Sequence, residues 1–241
     1  MLEITSKNNP KIKAALALRM KKNRQEQALF LMEGLKNLEM ALKYGCVRTI
    51  FTSIGLPKIG QDIETYKVNA DIINKLAVSE KPEGVVFVCE NLKAKKSLDD
   101  YHRIVYLDHI NDPGNLGTII RTAVAFNYDA VILSPGTVDL YNEKVLAASK
   151  GAIFAIDIIY DNIDCYTQKH QVIVSALSDD AIALNKATKP QDFVLVLGNE
   201  SHGVSKEIMA KAHQIVKIEM SDHIDSLNVA VAAGILLAYF K

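Results

Sequence analysis

The feature that most constrains this chain is a series of short, mostly apolar segments, each closed by a turn signal and separated from the next by a helix-like stretch. In the second half these are RIVYL (103–107), AVIL (130–133), AIDII (155–159), IVSAL (173–177) and FVLVL (193–197). A strand that is apolar on both faces must be covered on both faces. The pattern therefore implies an α/β architecture with a largely parallel sheet sandwiched between helices. The first half alternates more loosely. Its helical stretches are read at 10–22, 35–44 and 70–78, and its strands at 28–33, 47–52 and 85–89, with a Gly/Pro loop at Gly55, Pro57 and Gly60. The polar segment ENLKAKKSLDDY (90–101) reads as a linker, which gives two expected domains, 1–95 and 96–241.

Composition excludes several classes. No apolar run approaches the ~18 residues of a membrane span. The start, MLEITSKNNPKIK, lacks the apolar core of a secretion signal, so a cytoplasmic protein is expected. Cys46, Cys89 and Cys165 stand far apart without a CxxC pair, which argues against a disulfide framework and a thiolate metal site; no metal is expected. The formal net charge is zero, yet the first thirty residues carry Lys7, Lys11, Lys13, Arg19, Lys21, Lys22 and Arg24 against Glu3 and Glu26. Such a cluster is either a phosphate-contacting face or the solvated side of an amphipathic helix whose Ile12, Ala15, Leu16 and Met20 face the core.

Three segments in the second half carry polar groups that an apolar sheet does not need. In NDPGNLGTIIRTA (111–123), a tight loop at 113–117 is expected to lead into a helix from about Thr118, with Arg121 in its first turn and Asn115 offering an amide. In FVLVLGNESHGVS (193–205), Gly198, Asn199 and Glu200 follow a strand's C-terminal edge, where open α/β sheets bind ligands, and Ser205 is placed to cap the next helix. In VKIEMSDHIDSLNVAVAAGILLAYF (216–240), Ser226 is the expected cap of an apolar terminal helix, with Asn228 beside it. The G-x-G-x-x-G fingerprint of dinucleotide-binding oxidoreductases is missing.

Taken together, Asn111–Asn115 with Gly117, Ile120-Arg121-Thr122-Ala123, Leu197-Gly198-Asn199-Glu200 with His202-Gly203, and Ile218, Met220 and Ser226-Leu227-Asn228-Val229 resemble the three motifs of the SpoU (TrmH-like) family of RNA 2′-O-ribose methyltransferases in the SPOUT superfamily. Lys21–Arg24, Phe30, Glu33-Gly34 and PEGVVFV resemble the small α/β RNA-binding domain often fused ahead of that catalytic domain. The resemblance implies a C-terminal trefoil knot, a homodimer, and S-adenosylmethionine as methyl donor, held near Gly198, Ile218, Met220 and Leu227. It further implies that Arg121, Asn115, Glu200, Ser226 and Asn228 serve the transfer. Ribosomal RNA is the expected substrate, with transfer RNA the alternative and DNA not expected. An inactive RNA-binding assembly factor on the same fold is the competing class, disfavoured by the retained Arg121, Glu200, Ser226 and Asn228. Three positions depart from the family pattern: Ala147, Ser201 and Glu219 stand where Arg, Gly and Pro are common, with Lys150 a candidate to replace the lost arginine. His109 and His202 are read as structural or RNA-facing.

Overall fold

The computed structural model describes residues 2–57, 59 and 63–241, so Gly60 of the anticipated Gly/Pro loop lies outside the described residues. The chain divides into two compact units, Met1–Leu92 with Tyr141–Ala147, and Lys93–Leu140 with Ala148–Lys241.

The first unit is built on a mixed five-stranded sheet. Its strands are β1 (Leu2–Ile4), β2 (Leu29–Glu33), β3 (Val47–Thr52), β4 (Glu64–Val68) and β5 (Val85–Glu90), in the order β1-β4-β3-β5-β2. The pairs β1–β4 and β4–β3 are parallel, and β3–β5 and β5–β2 are antiparallel. Strands β1 and β4 escape the sequence reading because β1 has only three residues and β4 is mostly polar; Tyr66 and Val68 alone supply buried side chains in β4. Helices α1 (Pro10–Ala17), α2 (Lys21–Gln27), α3 (Leu35–Tyr44) and α4 (Ala70–Leu76) complete the unit. Ile12, Phe51, Ile72, Leu76 and Val86 share one core.

The helix expected over 10–22 is two helices, and side-chain chemistry explains the break. Leu18 to Met20 leave the helical path, and the freed carbonyls find donors in α2. Arg24 Nη1 donates to Leu18 O at 2.9 Å and Arg19 O at 2.7 Å, and Asn23 Nδ2 donates to Ala17 O at 2.8 Å. Arg24 is consequently buried. Met20, expected to face the core, is exposed, and Leu18 is buried instead. The basic cluster is thereby largely spoken for. Arg19 holds the carbonyls of Lys75 and Ala77, and Lys7, Lys11 and Lys22 pair with Asp71, Glu64 and Glu26.

The second unit carries a seven-stranded, all-parallel sheet. Its strands are β6 (Arg103–Leu107), β7 (Ala130–Leu133), β8 (Asp157–Tyr160), β9 (Gln171–Ser175), β10 (Ile182–Ala183), β11 (Phe193–Leu197) and β12 (Gln214–Lys217), in the order β10-β12-β9-β11-β6-β7-β8. All five residues of β11 and all four of β7 are buried, as strands covered on both faces require. Helices α5 (Pro113–Ala125), α6 (Glu143–Ser149, its first five residues in the first unit), α7 (Lys206–Met209) and α8 (Val229–Phe240) accompany the strands, with α8 packed on α5. From β6 the chain moves outward to β7 and β8, whereas from β11 it moves the other way to β12. The strand order therefore reverses between β6 and β11, and a crevice opens at such a switch point.

Replacing Arg24 by Ala strips the Leu18 and Arg19 carbonyls of their donor in a buried setting. The expected loss is about 2 kcal/mol of first-unit stability, measured by chemical denaturation; an unchanged midpoint would contradict the assignment.

Candidate active site

Strands β6 and β11 pair in register through Leu107 and Leu197, and Asp108 N–H donates to Leu197 O at 2.8 Å. The segments that follow them therefore start side by side at the switch point.

After β6, Asp112 caps α5, its Oδ1 accepting the Asn115 N–H at 2.8 Å, with Pro113 at the first helical position, where no N–H is needed. The stretch 113–117, expected as a loop before a helix starting at Thr118, is instead the opening of the helix. The Asp-Pro pair is a stronger start signal than Thr118, whose hydroxyl donates back to Gly114 O at 2.8 Å. This moves Arg121 out of the first turn. At 1.5 Å per residue it lies roughly 12 Å along the axis from Pro113. Arg121 is exposed, and among the described residues no hydrogen-bond acceptor or carboxylate partners it, Glu200 included.

After β11 the chain folds back on itself at once. A Cβ at Gly198 would lie 2.3 Å from Gly203 C and 2.4 Å from both Gly203 O and Val204 N, so no side chain can stand there. Asn199 and Gly203 exchange both backbone hydrogen bonds, at 3.0 and 2.9 Å, and Gly203 takes a φ of +69° to close the turn. Asn199, expected at the ligand-binding edge of the strand, pins this loop: its Oδ1 accepts from Ser201 N at 2.8 Å and its Nδ2 donates to His109 O at 2.8 Å. Ser205 precedes α7 but makes no side-chain cap; its N–H donates to Asp108 Oδ2 at 2.8 Å.

Glu200, at the tip of this loop, meets the other two segments. Its Oε1 accepts from Asn115 Nδ2 at 2.6 Å, and Asn115 Oδ1 accepts from Asn228 Nδ2 at 3.0 Å. Asn228 Oδ1 in turn accepts the N–H of Ala230 at 2.9 Å and of Val231 at 3.3 Å. Each amide's orientation follows from the next. The helix N–H groups require the Asn228 oxygen, which turns its nitrogen to Asn115, which turns that nitrogen to the carboxylate. Asn228, not Ser226, is thus the cap of α8. Asn is as effective a cap as Ser, and it stands directly against the apolar run.

Beside this chain of amides lies a cavity of about 400 Å³, bounded by the segments that follow β9, β11 and β12 and by the start of α8. Gly198, Ile218, Met220 and Leu227, all expected to hold the donor, stand in its wall, as do Glu200 and Ser226. Four of the five expected catalytic groups are therefore at or beside one cavity. Among the described residues Arg121 makes no hydrogen bond or ion pair with any of them. The volume falls in the usual small-molecule range of ~300–1,000 Å³. Apolar side chains and a loop with no room for a Cβ suit a ligand held flat against backbone. Among the described residues no group of His, Cys, Asp and Glu is arranged to hold a metal.

The second unit matches the model of the SpoU rRNA methylase family over residues 102–238, and residues 9–86 match that of the MRM3-like substrate binding domain. The 23S rRNA (guanosine(2553)-2′-O)-methyltransferase RlmP of Bacillus subtilis is 33% identical over 251 residues, covering 100% of both chains. Among solved structures, the AdoMet-bound rRNA methyltransferase of Sinorhizobium meliloti superposes with a TM-score of 0.90 at 31% identity, over 99% of this chain and 96% of that one. A structure described as an RNA 2′-O ribose methyltransferase gives 0.81 at 27%, over 99% and 98%.

Fold, cavity and likeness together define an S-adenosylmethionine-dependent RNA 2′-O-ribose methyltransferase. The chain belongs to the SpoU rRNA methylase family.

Asn228→Asp tests the amide chain apart from the cap. A carboxylate still accepts from Ala230 and Val231 but cannot donate to Asn115. Thermal stability should hold while methyl transfer falls at least about tenfold; full activity would show the Asn115–Asn228 bond to be idle.

Proposed function

We propose that the protein methylates a ribose 2′-hydroxyl of ribosomal RNA, with its first domain, near residues 1–95, binding the RNA. The observation that carries this reading is the convergence of Asn115, Glu200 and Asn228 beside the cavity, in a chain that aligns along its whole length with a relative named for 23S rRNA. In the first domain, Lys13 and Lys21 are without an ion-pair partner among the described residues and are available to phosphates.

The bound donor supplies an electrophilic methyl group on a positively charged leaving group, so the reaction calls for no metal. The protein's part is to orient the 2′-hydroxyl, assist loss of its proton and exclude water. Gly198, Ile218, Met220 and Leu227 hold the donor. Glu200, with one oxygen committed to Asn115, keeps its other oxygen for the ribose, and Ser226 faces the same space. Arg121 presents a planar cationic fork of N–H donors and no acceptor, which suits a phosphate clamp better than a general base. Its exposed position and uncommitted guanidinium support that role.

The C-terminal segment is read as a trefoil knot. The return of α8 to pack on α5 supports this. A homodimer fits Val231 and Ile235, one turn apart on α8 and 53% and 40% exposed. Among the described residues Cys46, Cys89 and Cys165 form no disulfide, which fits a reducing, cytoplasmic setting, and no helix is long and apolar enough to cross a membrane.

Arg121→Ala should abolish methyl transfer while donor affinity, measured by calorimetry, stays near wild type; near-normal turnover would remove Arg121 from the site. A map of 2′-O-methyl positions in RNA from cells with and without the gene should lose one ribosomal position. Loss confined to transfer RNA would overturn the ribosomal assignment.

A further inference from the structure

One exposed side chain outside the residues above is held more firmly than the fold requires. His109 follows Asp108 at the end of β6 and adopts a φ of +57°, a left-handed conformation that residues with a Cβ take at a steric cost. Its N–H donates to Ser134 Oγ at 2.8 Å, and its carbonyl accepts from Asn199 Nδ2 at 2.8 Å. Ring Nδ1 lies 2.7 Å from Asp108 Oδ1, a carboxylate only 2% exposed whose other oxygen holds the 198–205 loop through Ser205. The ring edge rests on Gly136, where a Cβ would come within 2.9 Å of Cδ2. The side chain is nonetheless 57% exposed, and among the described residues Nε2 has no partner.

The backbone groups of residue 109 alone tie Ser134 to Asn199, and Asn or Gly would do so with less strain. The buried carboxylate and the bare face of Gly136 fix the ring itself, with its free nitrogen turned to solvent. Strain concentrated on an exposed functional group is a mark of a ligand contact. The position fits, because Asn199, bonded to His109, immediately precedes Glu200 in the loop.

We propose that His109 is an RNA-binding residue on the rim of the methyl-transfer site, its Nε2 hydrogen-bonding the sugar–phosphate backbone of the bound strand. The inference rests on the chain being an RNA methyltransferase. With Nδ1 committed to Asp108, Nε2 accepts from a ribose hydroxyl when the ring is neutral and donates to a phosphate oxygen when it is charged, so both forms bind the same strand.

The test uses the full-length protein with His109→Asn and His109→Gly, since both residues tolerate the left-handed backbone. Steady-state methylation of RNA should show KM for RNA raised about tenfold in both variants, with kcat within about twofold of wild type. Donor affinity should be unchanged, while the melting temperature falls modestly because the buried Asp108 Oδ1 loses its partner. An RNA KM within about twofold of wild type in both variants overturns the proposal, as does a loss matched by weaker donor binding. Wild type measured alongside keeps the two ideas apart. If it transfers no methyl group to any RNA, the enzymatic reading fails; if it is active and the variants match it, only the role of His109 fails.

Discussion

The second unit depends on one close approach, the passage of the chain against itself immediately after β11. With a Cβ 2.3 Å from a backbone carbon, residue 198 can only be glycine unless the crossing opens. Everything at the mouth of the sheet follows from that contact. It returns the 198–205 loop against its own strand, leaves Glu200 at the tip, and lets Ser205 reach the buried Asp108. An interior packed at crystal-like density does not absorb an atom placed at such a distance by small adjustments.

The loop would present Glu200 in many orientations if nothing else held it. The two asparagines reduce them to one by joining the start of α5, the tip of the loop and the start of α8 through a directed series of hydrogen bonds. The series begins at the free N–H groups of a helix end and terminates on a carboxylate, so its direction suits both ends. Preorganisation of this kind lets a site orient a weak nucleophile without reorganising during the reaction. It also explains how residues far apart in sequence form one site: the reversal of strand order between β6 and β11 brings the ends of those two strands together.

Much of this was legible in the sequence, for reasons that can be stated. Strands such as 193–197 and 130–133 are apolar throughout, and helix 35–44 ends at a glycine, so pattern and turn chemistry agree. Strands β1 and β4 were not legible, because the sheet and not the local sequence holds them extended. The division of the first helix was hidden because it turns on Arg24 reaching back to carbonyls five and six residues away. At the site, the residues near the cavity were identifiable as polar groups stranded among apolar elements. Their caps were not. Asp112 displaces Thr118 and Asn228 displaces Ser226, since competing cap residues within a few positions are separated only by tertiary contacts. Asp108, which holds the 198–205 loop through Ser205, reveals that part only through a partner 97 residues distant in sequence.

The central claim is that the cavity and the amide chain serve methyl transfer to a ribose oxygen. The most direct measurement is to incubate the protein with donor carrying an isotopically labelled methyl group and ribosomal RNA, digest the product to nucleosides, and locate the label by mass spectrometry. The account predicts label in a single 2′-O-methylnucleoside, on the ribose fragment. Label on a base, or on no nucleoside at all, would contradict it.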